Sequence, residues 1–201
     1  MIAHLSGILL EKHPNSVIVD VHGVGYEMTI PVSAYSSLPG PGQPVEFYVY
    51  THVREDTLAL FGFLFAGDKA LFEKLIAVSG IGPKLAITAL SGLTAPDLIA
   101  AIRSGSVEQL TRIPGVGKKT AERMVLELRD KLDLLGIPAR VDGAASPPKS
   151  GFNATEEDVI SALMNFGAGR SAAEGAVTKS RSSSEPNEFD PLFRRALKLV
   201  R

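Results

Sequence analysis

Two stretches of this chain follow one pattern. Residues 73–90 read EKLIAVSGIGPKLAITAL and residues 108–125 read EQLTRIPGVGKKTAERMV, and they superimpose without a gap at an offset of 35. Glu73/Glu108, Leu75/Leu110, Gly80/Gly115, Gly82/Gly117, Lys84/Lys119 and Ala86/Ala121 are identical, and Val78/Ile113 and Ile81/Val116 are close in shape. Such a repeat constrains the fold strongly, because both copies must adopt the same local structure. Each predicts a helix, then Gly-apolar-Gly, then a second helix that starts with Lys.

The physics of the unit is specific. Its glycines permit positive φ and let a backbone approach a ligand with no Cβ in the way. Ile81 and Val116, between the glycines, are expected to tuck between the helices and lock the turn. The next helix begins with free N–H groups, which together with the helix dipole favour an anion. Lys84, Lys118 and Lys119 add charge, and Arg123 lies four residues after Lys119 on the same helical face. The natural anion is a nucleic-acid phosphate, and nothing in the unit reads bases, so binding is expected to be sequence-independent. This is the helix-hairpin-helix motif. One Gly-x-Gly between helices is commonly a plain terminator. Two in register, each followed by Lys, favour DNA binding by Gly80, Ile81, Gly82, Lys84, Gly115, Val116, Gly117, Lys118, Lys119 and Arg123. Gly117-Lys118-Lys119-Thr120 resembles the end of a P-loop. That pattern needs Gly at Arg112 and Ser or Thr at Lys119, after a strand rather than a helix, so nucleotide binding is rejected.

The flanking sequence predicts an α+β, multidomain chain. Residues 1–65 read as about five strands. Val17, Val19 and Val21 alternate with Ile18, Asp20 and His22; Gly23-Val24-Gly25 punctuates; Tyr26, Met28 and Ile30 alternate again. The cluster Pro39 to Pro44 is a turn, followed by strands over Val45–Val53 and Thr57–Phe65. Five short antiparallel strands suit a small closed barrel of the OB type. Residues 66–136 turn helical: Leu71, Phe72, Leu75 and Ile76 share a face, and Thr94/Asp97 and Ser106/Gln109 have capping spacing. The last of these helices is expected to run from Lys118 to Leu135 and stop at Gly136. Residues 137–153 read as a flexible linker. Residues 154–201 read as a small domain of three helices. The first is capped by Thr155 and carries Val159, Leu163 and Phe166 on one face; the others cover Ser171–Val177 and Phe189–Val200.

The formal net charge of −1 hides a gradient: residues 1–65 carry −4, residues 66–136 carry +2 and residues 137–201 carry +1. The absence of Cys excludes disulfide scaffolds, iron–sulfur clusters, thiolate zinc sites and cysteine nucleophiles. No apolar run approaches the ~20 residues of a membrane span, and the opening Met1-Ile2-Ala3-His4-Leu5 lacks a basic signal-peptide start. The chain is expected to be cytoplasmic, with no membrane association. His4, His13, His22 and His52 share no metal-ligand spacing. Asn153-Ala154-Thr155 matches a glycosylation sequon, which is read as accidental. Glu55-Asp56 lies between two apolar strands and is placed at a hairpin tip. It reads as a solvated turn, as a metal-binding pair without a third carboxylate, or as an acidic tip that repels phosphates.

With these residues in view, the chain resembles the RuvA family of Holliday-junction-binding subunits from the bacterial branch-migration machinery. The resemblance runs along the whole length. It is carried by Met1 to Gly7, Gly23-Val24-Gly25-Tyr26, Val53-Arg54-Glu55-Asp56 with Leu60-Phe61-Gly62-Phe63, Ser79 to Lys84, Pro114 to Lys119, and Val125-Leu126-Glu127-Leu128. It implies a homotetramer, one or a pair of which holds a four-way junction open and roughly planar. The two hairpins would grip the backbones of each arm, and Glu55 and Asp56 would form an acidic pin at the crossover. The C-terminal domain would bind RuvB, a ring ATPase, with the resolvase RuvC as a further partner, in recombination and DNA repair. The resemblance implies no catalytic residue and no cofactor. Thr178–Asn187 is more polar than the family leads one to expect between the last two helices, which leaves the motor contacts open. Two rival classes remain: a repair enzyme, since such hairpins also occur in glycosylases, ligases and nucleases, and a single-strand binder built on the barrel. The second would want a basic groove with exposed aromatics, whereas the barrel segment is acidic.

Overall fold

The computed structural model describes residues 1–132, 152–181 and 188–200, the Asp130 side chain apart. Contacts divide the chain into two compact units, Met1–Gly143 and Ala144–Arg201.

The first unit opens with strands β1 (His4–His13), β2 (Ser16–Val21), β3 (Val24–Thr29), β4 (Pro44–Arg54) and β5 (Thr57–Phe63). They close in the order β1-β2-β3-β5-β4, with β1 paired to both β2 and β4. Antiparallel pairing joins every neighbour except β3 and β5, which meet in parallel at Thr29 and Phe61. Strand alternation turns Leu5, Leu9, Val17, Val19, Met28, Phe47 and Val49 inward, where they form the barrel core. Gly7 is required by close approach, since a Cβ there would collide with the Asp20 carbonyl on β2. The β2–β3 turn is His22-Gly23 rather than Gly23 to Gly25. Both residues have positive φ, 53° and 87°, as a two-residue hairpin turn demands, and Val24 and Gly25 already belong to β3.

A short helix with no sequence signal, α1 (Val32–Tyr35), follows β3. The helical half comprises α2 (Ala66–Ile76), α3 (Pro83–Gly92), α4 (Ala95–Ser104), α5 (Val107–Thr111) and α6 (Lys118–Leu132). Thr94 caps α4 as expected, its hydroxyl accepting from the Asp97 N–H at 3.3 Å. Ser106 precedes α5 without a side-chain cap, because its backbone (ψ 76°) departs from the extended geometry of a cap. The expected stop at Gly136 lies outside the described residues.

A second apolar core joins the helices to the barrel through Phe61 and Phe63 of β5. Phe72 of α2 sits with ring centroids 5.2, 5.3 and 5.0 Å from Tyr50, Phe61 and Phe63. The Ser33 hydroxyl donates to the Leu90 carbonyl, and the Val32 N–H donates to the Ser91 hydroxyl, both at 3.0 Å. Among the described residues no single helix is long and apolar enough to cross a membrane.

The second unit contains α7 (Ala154–Asn165), α8 (Arg170–Ser180) and α9 (Phe189–Leu199) around Val159, Ile160, Leu163, Ala173, Val177, Leu192 and Ala196. Asn153, not Thr155, caps α7. Its side chain accepts from the Glu156 N–H at 2.9 Å, and the Glu156 carboxylate accepts from the Asn153 N–H at 2.8 Å. This reciprocal box fixes the helix start two residues earlier and leaves Thr155 inside the first turn. Phe166 falls just past the end of α7 and is largely exposed, so it leaves the face that buries Val159 and Leu163. Helix α8 continues past Val177 to Ser180, so the polar segment begins inside a helix; residues 182–187 are outside the described set. The expected linker 137–153 also lies outside it, apart from its last two residues.

Candidate nucleic-acid interface

The two sequence copies fold into matching hairpins, α2–α3 and α5–α6. Ile81 donates its N–H to the Val78 carbonyl at 3.0 Å, and Val116 does the same to Ile113 at 3.0 Å. The carbonyls of Gly82 and Gly117 accept from Ala86 and Ala121 at 3.0 and 2.9 Å, opening the second helix of each pair. Ile81 and Val116 are both buried, as their place between the glycines predicts.

The glycines divide the work. Gly80 and Gly115 have φ of 90° and 86°, in the left-handed region where other residues are strained. Gly82 is extended (φ −92°, ψ 173°), and Gly117 also lies outside the positive-φ set. The expectation of positive φ therefore applies only to the first glycine of each turn. A Cβ on Gly82 or Gly117 would meet no protein atom within 4 Å. Internal packing gives no reason for glycine there, and the open space lies at the start of a helix, where the first N–H groups have no intrahelical acceptor.

The copies are also brought side by side. Arg123 on α6 donates from Nη1 to the Ser79 hydroxyl at 3.3 Å and to its carbonyl at 3.4 Å, in the turn of the other hairpin. A Cβ on Gly115 would lie 3.1 Å from Leu85 of α3. Arg123 thus reaches across between hairpins as well as following Lys119 on its helix. Ser79 had no signal in the sequence, since its partner is 44 residues away. Lys84, Lys118 and Lys119 are exposed at the helix starts, with no carboxylate at ion-pair distance among the described residues.

Glu55 and Asp56 form the two-residue tip between β4 and β5, above the Arg54/Thr57 pair, and both are exposed. The Thr57 hydroxyl donates to Asp56 Oδ1 at 3.0 Å. Arg54, next to the pair in sequence, instead donates from Nε to His52 Nε2 at 3.1 Å. The Arg54 guanidinium is thus engaged by His52 rather than by the tip carboxylates. Among the described residues no three His, Asp or Glu side chains gather as a metal site would require.

Comparison with known proteins agrees with this arrangement. Residues 1–62 match the model of the RuvA N terminal domain, and residues 72–130 match the SAM-like helix-hairpin-helix tandem. A protein of Solibacter usitatus is 56% identical over the full length of both chains, and one of Acidobacterium capsulatum is 52% identical over the full length of both. One of Syntrophotalea carbinolica is 46% identical over all of this chain and 99% of its own. Each carries the name Holliday junction branch migration complex subunit RuvA. With a barrel, tandem hairpins and full-length identity of this order, the chain belongs to the RuvA family.

Proposed function

We propose that this chain is the junction-binding subunit of a branch-migration complex, without catalytic activity of its own. The observation that carries this reading is the pair of matched turns. Each has one glycine required by its backbone and one that the fold itself leaves unexplained, at the start of a helix flanked by lysine. Two such anion sites, tied together by Arg123 and Ser79, suit successive phosphates of a duplex arm.

In this reading Gly80, Ile81, Gly82 and Lys84 form one grip, and Gly115, Val116, Gly117, Lys118, Lys119 and Arg123 form the other. A homotetramer, alone or as a pair, presents these grips to the four arms. It gathers Glu55 and Asp56 of each copy at the crossover. The C-terminal unit recruits the RuvB ring ATPase. Its strip of aromatic rings, Phe166, Phe193 and Phe189 at successive centroid distances of 5.8 and 5.6 Å, offers an apolar coupling face. The assembly serves recombination and repair in the cytoplasm, with the resolvase RuvC acting on the same junction.

Competition binding tests the reading. Labelled four-way junction bound by the full-length protein should resist displacement by equal masses of duplex or single-stranded DNA of unrelated sequence. Equal displacement by duplex would show a general DNA binder instead, and preferential displacement by single strands would favour the barrel as the binding element.

A further inference from the structure

The β4–β5 hairpin carries more than its carboxylates. Strand alternation puts Val53 on the face of Val45, Phe47 and Val49, and Leu58 on the face of Leu60; Val53 and Leu58 stand directly opposite each other. Lower on the hairpin that face is barrel core. At this rung it is open to solvent, with Val53 66% and Leu58 69% exposed. The hairpin therefore projects past the end of the barrel with its core-facing side still apolar, one rung below Arg54 and Thr57 and two from the acidic tip.

The surroundings restrict what can cover this pair. One Val and one Leu bordered by Arg54, Glu55, Asp56 and Thr57 do not by themselves make a stable protein interface, which needs roughly 800 Å² from each partner, and cover by a second copy is the outcome that the dilution measurement below separates. The carboxylates of Glu55 and Asp56 repel phosphates at close range. The part of a nucleic acid that can settle here is uncharged and flat, namely the face of a base. Apolar side chains placed against an unstacked base replace part of its lost stacking, as they do in proteins that wedge open a base step. We propose that Val53 and Leu58 form an apolar platform that receives a base unstacked at the branch point of a bound junction. The proposal rests on the reading of the chain as a junction binder. It gives the hairpin two complementary actions: the carboxylates turn phosphates away, and the platform holds the base that has left the stack.

The sequence contains no Trp, so the full-length Leu58→Trp variant carries a single indole at an exposed position. Its emission should fall roughly twofold on saturation with a synthetic four-way junction, and much less with duplex of equal length, because an indole stacked on a base is quenched. Anisotropy of a dye on a distal arm follows binding separately. Unchanged emission at full anisotropy would overturn the platform while leaving junction binding intact. No anisotropy change with the unmodified chain would overturn the junction reading itself. An emission already blue-shifted in DNA-free protein, and shifting red on dilution, would also overturn the platform, because a second copy would then cover the pair. The Val53→Ser/Leu58→Ser variant gives an independent check with 2-aminopurine placed beside the branch point. Compared at saturating protein, with saturation followed by anisotropy of the distal-arm dye, it should lose about half or more of the fluorescence rise seen with the unmodified protein. A full rise would overturn the proposal.

Discussion

Within each hairpin turn the two glycines answer different demands, and substitution separates them. Gly80→Ala and Gly115→Ala force a Cβ into positive φ and should each lower stability by about 1–2 kcal/mol. At Gly82 and Gly117 the added methyl meets open space. Loss of a good cap residue and gain in backbone rigidity oppose each other there, so stability should stay within about 0.5 kcal/mol. The Gly82→Ala/Gly117→Ala protein should nevertheless bind junction DNA at least about tenfold more weakly, since one bad contact per grip removes a charge-assisted hydrogen bond. Urea unfolding together with a binding titration checks both halves; equal stability losses at all four positions would show that the second glycines serve the fold. Sequence alone pairs these glycines as equals, because φ leaves no mark in the residue type. It also could not reveal that Arg123 meets Ser79, a contact made only once both hairpins have packed. The Asn153 cap, by contrast, was legible: Asn is a stronger cap residue than Thr, and Glu156 three residues on is the spacing of a capping box.

At the level of single elements, α6 and α7 make opposite uses of charge. Lys118 and Lys119 sit exposed at the first turn of α6, where they oppose the helix dipole. An anion bound at this helix start would offset that cost. Replacing both with Ala should leave thermal stability unchanged or slightly raised and weaken junction binding. Each lost phosphate contact should also reduce the logarithmic salt slope by roughly 0.9; an unchanged slope would remove these lysines from the interface. At the start of α7 the charge is internal. Burial alone would raise the pKa of Glu156, but two hydrogen bonds from Arg181 at 2.8 Å, the Asn153 N–H and the Arg181 charge together hold it below its ordinary value of 4.5. The native state therefore binds this proton more weakly than the unfolded state. The resulting stability is present above the ordinary value and is lost as pH falls through the lowered one. Glu156→Gln should destabilise the second unit by about 1–2 kcal/mol near neutrality, a figure moderated by the partial exposure of Arg181. It should also flatten the acid limb of unfolding followed between pH 6 and pH 3; an equally steep limb would assign acid sensitivity to other carboxylates. Elements of regular period were legible in the sequence, the five strands by alternation and the hairpin helices by repetition. Helix α1 was not, because four residues are too few to show a period, and Phe166 misled because the apolar spacing of α7 runs one position beyond its last turn.

Across the whole molecule, the proposed function sets the acidic tip against the basic grips, selectivity against affinity. In the proposed tetramer a continuous duplex would have to carry its phosphates past the gathered carboxylates, whereas a four-way junction would have an opening there. Glu55→Gln/Asp56→Asn preserves shape and removes charge, so duplex affinity should rise more than junction affinity. The gap should narrow as salt shortens the Debye length. A constant junction-to-duplex ratio at low salt would reduce the tip to a solvated turn. The charge gradient along the chain is legible in the sequence, but not the join between barrel and helices, since no local pattern reveals that Phe72 will settle among Tyr50, Phe61 and Phe63. That join has a mechanical consequence. A close-packed aromatic joint yields little under strain. A load entering at the Gly80 turn passes along α2, through Phe72, into β4 and β5, and out to their shared tip. If the chain works as proposed, the barrel would act as a stiff bracket and the tip as an edge that stays still while material is drawn across it, as a ploughshare stays fixed to its beam while the soil moves past.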